Sequence, residues 1–304
     1  MKVYDCFCFF NELELLDIRL HILKDVVDYF VLVEIPRTHS GKKKELIFKK
    51  NKDKYSEFLD RIIYISPDKV PDVKTEHGDW TIENYQRNCI FYGLNGRCDS
   101  EDIVMISDLD EIPDPEIISK VKSADFKMTQ RKTGWSMGRQ LCHLYSLMGW
   151  KRFLSTSLHI SHRNINDLLD FTPVTLQQRM FQYYMNLEER KLWSGTVMYK
   201  WKKMYLPQQL RNMRSYFPIC QNGGWHFTYL GGRERVMYKL NSIVEGQECN
   251  DQAFIEEAIE NSVLTGGDRL GQGKSFRLIE KENTGLSEKI LNYIGEKYPG
   301  YIFR

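Results

Sequence analysis

The first half of the chain alternates short apolar runs with stretches of helical periodicity. The runs are four to eight residues long and end at polar or turn-forming residues, as in strands that are buried on both faces. They predict strands at residues 3–10, 29–35, 61–65 and 103–106. Because helical segments separate these strands, they are expected to lie mainly parallel in an α/β sheet.

Two helices are predicted between these strands. Residues 12–24 carry leucines at helical spacing, and Asn11 is expected to be the N-cap. The leucines are Leu13, Leu16, Leu20 and Leu23. A second helix is predicted over residues 81–93, ahead of a polar loop and the last of the four strands.

The pattern loosens after residue 125. Short strand-like pieces there are rich in aromatic residues and interleaved with Lys and Arg, and two further helices are predicted near 251–264 and 287–298. We find no internal repeat and no linker. A single domain over residues 1–304 is therefore expected, with two halves at 1–125 and 126–304.

Composition and charge exclude several classes of protein. The net charge of +2 gives no global attraction to nucleic acid or to a membrane surface. No apolar run approaches the roughly 18 residues of a membrane span. The seven cysteines are scattered without paired zinc spacing, and the N-terminal residues do not resemble a signal peptide. A cytoplasmic location is expected, while peripheral membrane association and the oligomeric state stay open.

The strongest candidate for chemistry is an acidic string at the end of the fourth predicted strand. Asp108, Asp110 and Glu111 lie within four residues, shortly before Pro113. Carboxylates repel each other, so such a cluster requires positive charge, and a divalent cation is the usual source. Positions i and i+2 of an extended segment point the same way, and oxygen ligands suit Mg²⁺ or Mn²⁺. An ordinary solvated acidic turn remains the alternative.

Six strings in this order resemble glycosyltransferase family 17. They are VYDCF at 3–7, VVDYFVLVE at 26–34, RTHSGK at 37–42, ENYQRN at 83–88, ISDLDEIP at 106–113 and GWHF at 224–227. The similarity covers most of the chain and is densest in residues 1–115 and 223–270. It implies a GT-A-like fold, in which a single mixed, mainly parallel sheet is flanked by helices.

The resemblance also implies an activity. A sugar, GlcNAc from UDP-GlcNAc in the known member, is expected to pass with inversion to a hydroxyl of a glycan, whether lipid-linked or protein-bound. Residues 1–125 would bind the nucleotide sugar, and residues 126–304 would bind the acceptor. The cofactor is expected to be Mn²⁺ or Mg²⁺.

The same resemblance suggests roles for individual residues. Asp108 and Asp110 would place the metal, His226 would complete its shell or contact phosphate, and Glu111 would contact the donor or hold the turn. Further donor-binding candidates are Glu34, Arg37, Thr38, Gln86, Arg87 and Trp225. Inversion requires a general base, for which Glu245 and Asp268 are the candidates.

Two other functions stay open at this point. One is a nucleotide-sugar-binding module without turnover. The other is a nucleic-acid-binding protein, suggested by the basic aromatic stretch at residues 200–205 and by Arg211 and Arg214. The near-neutral total charge and the acidic string argue against the second.

Overall fold

The computed structural model of the chain describes residues 1–72, 79–123, 165–202, 205–240, 251–268 and 273–304. Its strands are β1 Val3–Phe9, β2 Tyr29–Glu34, β3 Ile62–Ile65, β4 Ile103–Asp108, β5 Glu111–Pro113, β6 Val174–Gln182, β7 Leu187–Lys200, β8 Ile219–Cys220, β9 Gly224–Thr228 and β10 Phe276–Leu278. Its α-helices are α1 Leu13–Leu23, α2 Ile47–Asn51, α3 Thr81–Asn88, α4 Ile90–Leu94, α5 Pro115–Lys122, α6 Ile165–Leu169, α7 Pro207–Asn212, α8 Arg233–Leu240, α9 Gln252–Thr265 and α10 Glu288–Lys297.

All strands of the described residues join one sheet in the order β3-β2-β1-β4-β7-β6-β9-β5, with β10 on β7 and β8 on β6. β1 pairs in parallel with β2 and β4, and β2 pairs in parallel with β3. β7 runs antiparallel to β4 and so carries the sheet into the second half of the chain. The predicted mixed, mainly parallel sheet with flanking helices is confirmed.

The sheet is apolar on both faces, which explains the unbroken apolar runs in the sequence. Successive residues of β1 point to opposite faces. Val3 and Phe7 join the core cluster that contains the leucines of α1, whereas Tyr4 and Cys6 join the cluster that contains Ile90 of α4. β2 and β3 lie on one side of β1, whereas β4 lies on its other side, so the strand order reverses between β1 and β4. In α/β sheets, ligands bind outside the carboxyl ends of the strands at such a point.

Two local predictions were wrong, and several strands were not predicted. Residues 81–93 form two helices, α3 and α4, rather than one. α1 begins at Leu13 with Glu12 as its N-cap, and no side chain caps it, so Asn11 does not have the predicted role. β5 and the long antiparallel strands β6 and β7 were not predicted as such.

None of the helices in the described ranges has both the length and the apolar character that crossing a bilayer requires.

Candidate active site

The acidic string forms a tight connection between two strands of the sheet. Asp108 ends β4, Leu109 and Asp110 form a turn, and Glu111 begins β5. β5 pairs antiparallel with β9, which sets Glu111 opposite His226. The string therefore lies at the carboxyl end of β4, beside that of β1.

A buried arginine of α1 holds this turn by its backbone. The Nε and Nη2 atoms of Arg19 donate to the two carboxylate oxygens of Asp5 in β1, at 2.8 and 2.6 Å. Its Nη1 atom donates to the carbonyl oxygens of Asp108, Leu109 and Glu111, at 3.0, 2.9 and 3.0 Å. Both Arg19 and Asp5 are fully buried. The path of the acidic string is thus fixed by a guanidinium whose charge Asp5 balances.

Glu111 is fully buried and binds side chains from the second half of the chain. Arg211 of α7 donates from Nη1 to Oε2 at 2.7 Å and from Nη2 to Oε1, which makes a bidentate pair. The indole Nε1 of Trp193 in β7 also donates to Oε1. Oε2 further accepts the backbone N–H of Asp108 at 3.0 Å. Glu111 was predicted either to contact the donor or to hold the turn, and these contacts favour the second role.

Both carboxylate oxygens of Asp108 accept hydrogen bonds from guanidinium groups. The donors are Arg87 Nη2 of α3 at 2.8 Å and Arg211 Nη2 at 2.7 Å. Arg87 also binds Glu83 at 2.8 Å and Gln208 of α7. Arg87 and Arg211 are almost completely buried, so these two pairs are part of the folded framework.

Asp110 has a different environment. Its Oδ2 atom accepts from the Nζ of Lys239 in α8 at 2.7 Å, and its Oδ1 atom lies 3.5 Å from Nε2 of His226. The His226 ring also contacts the ring of Trp193, with 5.1 Å between centroids. Lys239 additionally donates to Thr228 Oγ1 at 3.3 Å. Asp110 is thus held by single contacts to an ammonium and an imidazole rather than by guanidinium pairs.

The chain itself supplies the positive charge that the acidic string requires. Arg87, Arg211 and Lys239 approach the carboxylates of Asp108, Glu111 and Asp110 from three different helices. A bound divalent cation was predicted for this role, whereas the structure shows three side chains of the chain itself.

These partners lower the pKa values of both aspartates. Burial by itself would raise the pKa of Asp108, but Arg211 and Arg87 outweigh it and hold that pKa well below its usual range. Burial likewise opposes ionisation of Asp110, and Lys239 and His226 hold its pKa well below the usual range. Both carboxylates are therefore charged at neutral pH.

We expect Asp108 and Asp110 to make the free energy of unfolding depend on pH in the acidic range. A carboxylate whose pKa is lower in the folded state stabilises the fold above its unfolded pKa of about 3.9, and this contribution is lost as the pH falls towards the folded value. The free energy of unfolding, measured with urea, should therefore decrease from pH 5 to pH 2. In the double variant Asp108→Asn, Asp110→Asn the decrease should be shallower. An equal decrease in both proteins would contradict the assignment.

A cavity of about 170 Å³ opens at the carboxyl ends of β1 and β4. Its polar lining includes Glu12, His39, Glu83, Gln86, Arg87, Asp108, Asp110 and Lys239. The structure therefore brings Gln86, Arg87, Asp108 and Asp110 together, as the sequence predicted. The amide of Gln86 also ties the ends of β1 and β2, since Nε2 donates to the carbonyls of Phe9 and Val33 at 3.1 and 2.9 Å.

Three donor-binding candidates, one at the end of β2 and two in the loop after it, make other contacts. Glu34 is fully buried; it accepts from the Tyr64 hydroxyl at 2.9 Å and from the backbone N–H of Phe48 in α2 at 3.1 Å. Arg37 donates to Asp72 at the surface, and Thr38 shapes its own turn by accepting from the N–H of Lys42. The cavity is lined instead by His39 of the same loop.

Trp225 also lies away from this cavity. Neighbouring residues of β9 point to opposite faces, so Trp225 points away from the side where His226 meets Asp110. Its indole is buried and donates to the carbonyl of Thr284 at 2.8 Å. The ring therefore packs in the core and does not line the cavity that contains Asp110.

The structure describes one of the two candidate general bases, Asp268. Glu245 lies outside the described residues. Asp268 follows α9, and its carboxylate accepts the backbone N–H of Lys274 at 3.1 Å. Asp268 is not among the described residues that line the cavity.

The basic stretch that suggested nucleic-acid binding does not form a free cationic surface in the described residues. Arg211 is buried against Glu111, and Arg214 lies over the ring of Trp193 and donates to the carbonyl of Ser194. Lys200 and Lys202 both pair with Asp170. The described cationic side chains behind that alternative are therefore engaged by contacts within the chain.

Of the two aspartates predicted to bind a metal, Asp110, which lies beside His226, has fewer charged partners than Asp108. Asp108 has both oxygens committed to guanidinium groups, whereas Asp110 is held by a single ammonium and lies beside an imidazole nitrogen. A carboxylate oxygen with an imidazole nitrogen suits Mn²⁺ better than Mg²⁺. Within the described ranges no group of three or more His, Cys, Asp or Glu side chains could hold a metal ion. Phosphate oxygens of a bound donor would have to supply further ligands.

Comparison with known proteins agrees with the sequence motifs. The chain matches Glycosyltransferase family 17 over residues 1–131, a stretch that contains the acidic string, Arg19 and Arg87. It is 24% identical over 247 residues to the β-1,4-mannosyl-glycoprotein 4-β-N-acetylglucosaminyltransferases of Homo sapiens and Rattus norvegicus. These alignments cover 78% of this chain but only 42% and 41% of the human and rat proteins. The chain thus spans about two fifths of the length of these relatives. The resemblance to glycosyltransferase family 17 is confirmed for residues 1–131.

Proposed function

We propose that the chain is an inverting, divalent-metal-dependent glycosyltransferase that moves GlcNAc from UDP-GlcNAc to a hydroxyl of a glycan. The observation that carries this proposal is the cavity at the carboxyl ends of β1 and β4, where Asp108, Asp110, Arg87 and Lys239 converge. That cavity lies largely within the stretch that matches the family, and the names of the human and rat relatives supply the donor sugar and the reaction type.

The charges of the cavity suit a diphosphate leaving group. Negative charge on the diphosphate grows as the bond to the sugar breaks, and fixed positive charge at that point lowers the barrier. Lys239 has the only ammonium among the described residues that line the cavity. Asp110 and His226 would hold the cation, which when bound would neutralise the departing diphosphate.

Inversion also requires a carboxylate that accepts the proton of the attacking hydroxyl. Glu245 and Asp268 remain the proposed candidates, and both follow the β9 strand that carries His226. The acceptor is proposed to be a glycan that is lipid-linked or attached to a protein, bound mainly by residues 126–304.

The direct test is a nucleotide-sugar hydrolysis screen, because transferases of this kind slowly pass the sugar to water. The protein is incubated with UDP-, GDP- and dTDP-sugars in the presence of Mn²⁺, and free nucleotide is measured. We expect release of UDP from UDP-GlcNAc above all other donors, and loss of that release on chelation with EDTA. No release from any sugar, together with measurable UDP binding by calorimetry, would favour a binding module without turnover. If the protein neither releases nucleotide from any of these sugars nor binds UDP, the proposal is contradicted.

A further inference from the structure

The positive groups around the acidic string are not equivalent. The side chains of Arg87 and Arg211 are 3% and 5% exposed, and each binds more than one residue of the framework. The side chain of Lys239 is 27% exposed, and its hydrogen bonds go to Asp110 and Thr228. Either arginine must leave several framework partners to reach a ligand, whereas the Lys239 ammonium must leave only Asp110 and Thr228.

Lys239 also lies where a ligand would meet it. It lines the cavity with Asp108 and Asp110, and it lines a second, adjoining cavity of about 120 Å³ with Glu12 and Tyr229. The ammonium lies 5.3 Å from the centre of the Tyr229 ring. A long flexible side chain with one charged end at the boundary of two cavities can change partners without rearranging the helix that carries it.

The ion pairs also set the charge of the site. Arg87, Arg211 and Lys239 balance Asp108, Asp110 and Glu111, so the string has little net charge left to attract a divalent cation. A cation that arrives alone must displace the ammonium from Asp110. A diphosphate that arrives alone finds the ammonium already paired with Asp110.

We propose that Lys239 is an internal counter-ion that competes with the divalent cation for Asp110 and pairs with the donor diphosphate once it is displaced. This inference rests on the proposed function, since it assumes a diphosphate donor. Each ligand then releases the partner that the other requires, so the metal and the diphosphate strengthen each other's binding.

Removing the ammonium should therefore change the two affinities in opposite directions. Lys239→Met should bind Mn²⁺ alone about tenfold more tightly than the wild type. This binding is measured by the loss of the electron paramagnetic resonance signal of unbound Mn²⁺. UDP measured by calorimetry at saturating Mn²⁺ should bind about tenfold more weakly. Lys239→Arg, which keeps the charge, should stay within about threefold of the wild type in both measurements. Thermal unfolding checks that each variant is folded, and Lys239→Gln replaces Lys239→Met if the latter is not.

A second lysine provides the matched control. Lys274 lies 6.0 Å from the same Tyr229 ring but donates to Gln182 at 2.7 Å rather than to Asp110. Lys274→Met should leave the affinity for Mn²⁺ alone unchanged. If Lys239→Met leaves that affinity unchanged or weakens it, the competition is overturned. If wild-type protein with Mn²⁺ does not bind UDP at all, the proposed function fails, whereas the Mn²⁺ measurement still decides separately whether Lys239 competes for Asp110.

Discussion

Replacing Arg19 with methionine is expected to lower the free energy of unfolding by about 3–5 kcal/mol. Methionine fills a similar volume but leaves Asp5 as a buried carboxylate without its bidentate partner. It also removes the hydrogen bonds to the carbonyl oxygens of Asp108, Leu109 and Glu111. Urea unfolding at pH 7, followed by circular dichroism, measures the loss.

An exposed arginine serves as the control for this substitution. Arg233 pairs with Glu256 at the surface, and both side chains are about half exposed. Arg233→Met should cost less than about 1 kcal/mol, because exposed ion pairs contribute little. If Arg19→Met does not fold, Asp5→Asn tests the same pair with a neutral side chain of the same shape. A cost for Arg19→Met or Asp5→Asn no larger than that of Arg233→Met would show that the buried pair does not stabilise the turn.

The pair of Asp5 and Arg19 also shows what the sequence can reveal. Asp5 interrupts an apolar strand, and Arg19 lies between Ile18 and Leu20 in α1. Opposite charges flanked by apolar residues in neighbouring elements favour a buried ion pair, because neither charge can be buried alone. Both elements were predicted from the sequence, but the ion pair between them was not.

The other cationic partners have no comparable local signal. Arg211 and Lys239 follow the acidic string by about a hundred residues or more. They come close to it in the fold because β7 pairs with β4 and β9 pairs with β5. The stretch around Arg211 has the composition of a basic surface, and its charges are satisfied by contacts that are distant in sequence. For that reason the sequence predicted where the carboxylates lie but not what neutralises them.

The strands of the second half were missed for a related reason. β7 carries Glu188, Glu189, Arg190 and Lys191 in succession, so it shows neither an apolar run nor regular alternation. Glu188 pairs across the sheet with Arg179 of β6 and Arg277 of β10, and Glu189 lies 3.9 Å from Nζ of Lys274, which precedes β10. Hydrophobic periodicity cannot detect a strand whose polar side chains find their partners on other strands.

Replacing Asp110 with asparagine should reduce sugar transfer by about 10³-fold while the protein stays folded. Asparagine has nearly the same shape but lacks the charge that would hold a divalent cation, and such a cation contributes several kcal/mol to stabilising a departing diphosphate. The fold should survive, because Lys239 is partly exposed and can turn to water, and Arg19 still holds the backbone of the turn. UDP release from UDP-GlcNAc with Mn²⁺ measures the loss.

Asp114 provides the matched control for Asp110→Asn. It lies four residues further on, beyond β5, and its carboxylate accepts the N–H of Glu116 as the N-cap of α5. Asp114→Asn makes the same chemical change outside the cavity and should keep UDP release within about twofold, since asparagine also caps helices. The contrast separates a lost metal ligand from a general effect of removing a carboxylate near the turn. If Asp110→Asn retains the activity of Asp114→Asn, the carboxylate does not take part in transfer, and the assignment of this cavity as the donor site must be abandoned.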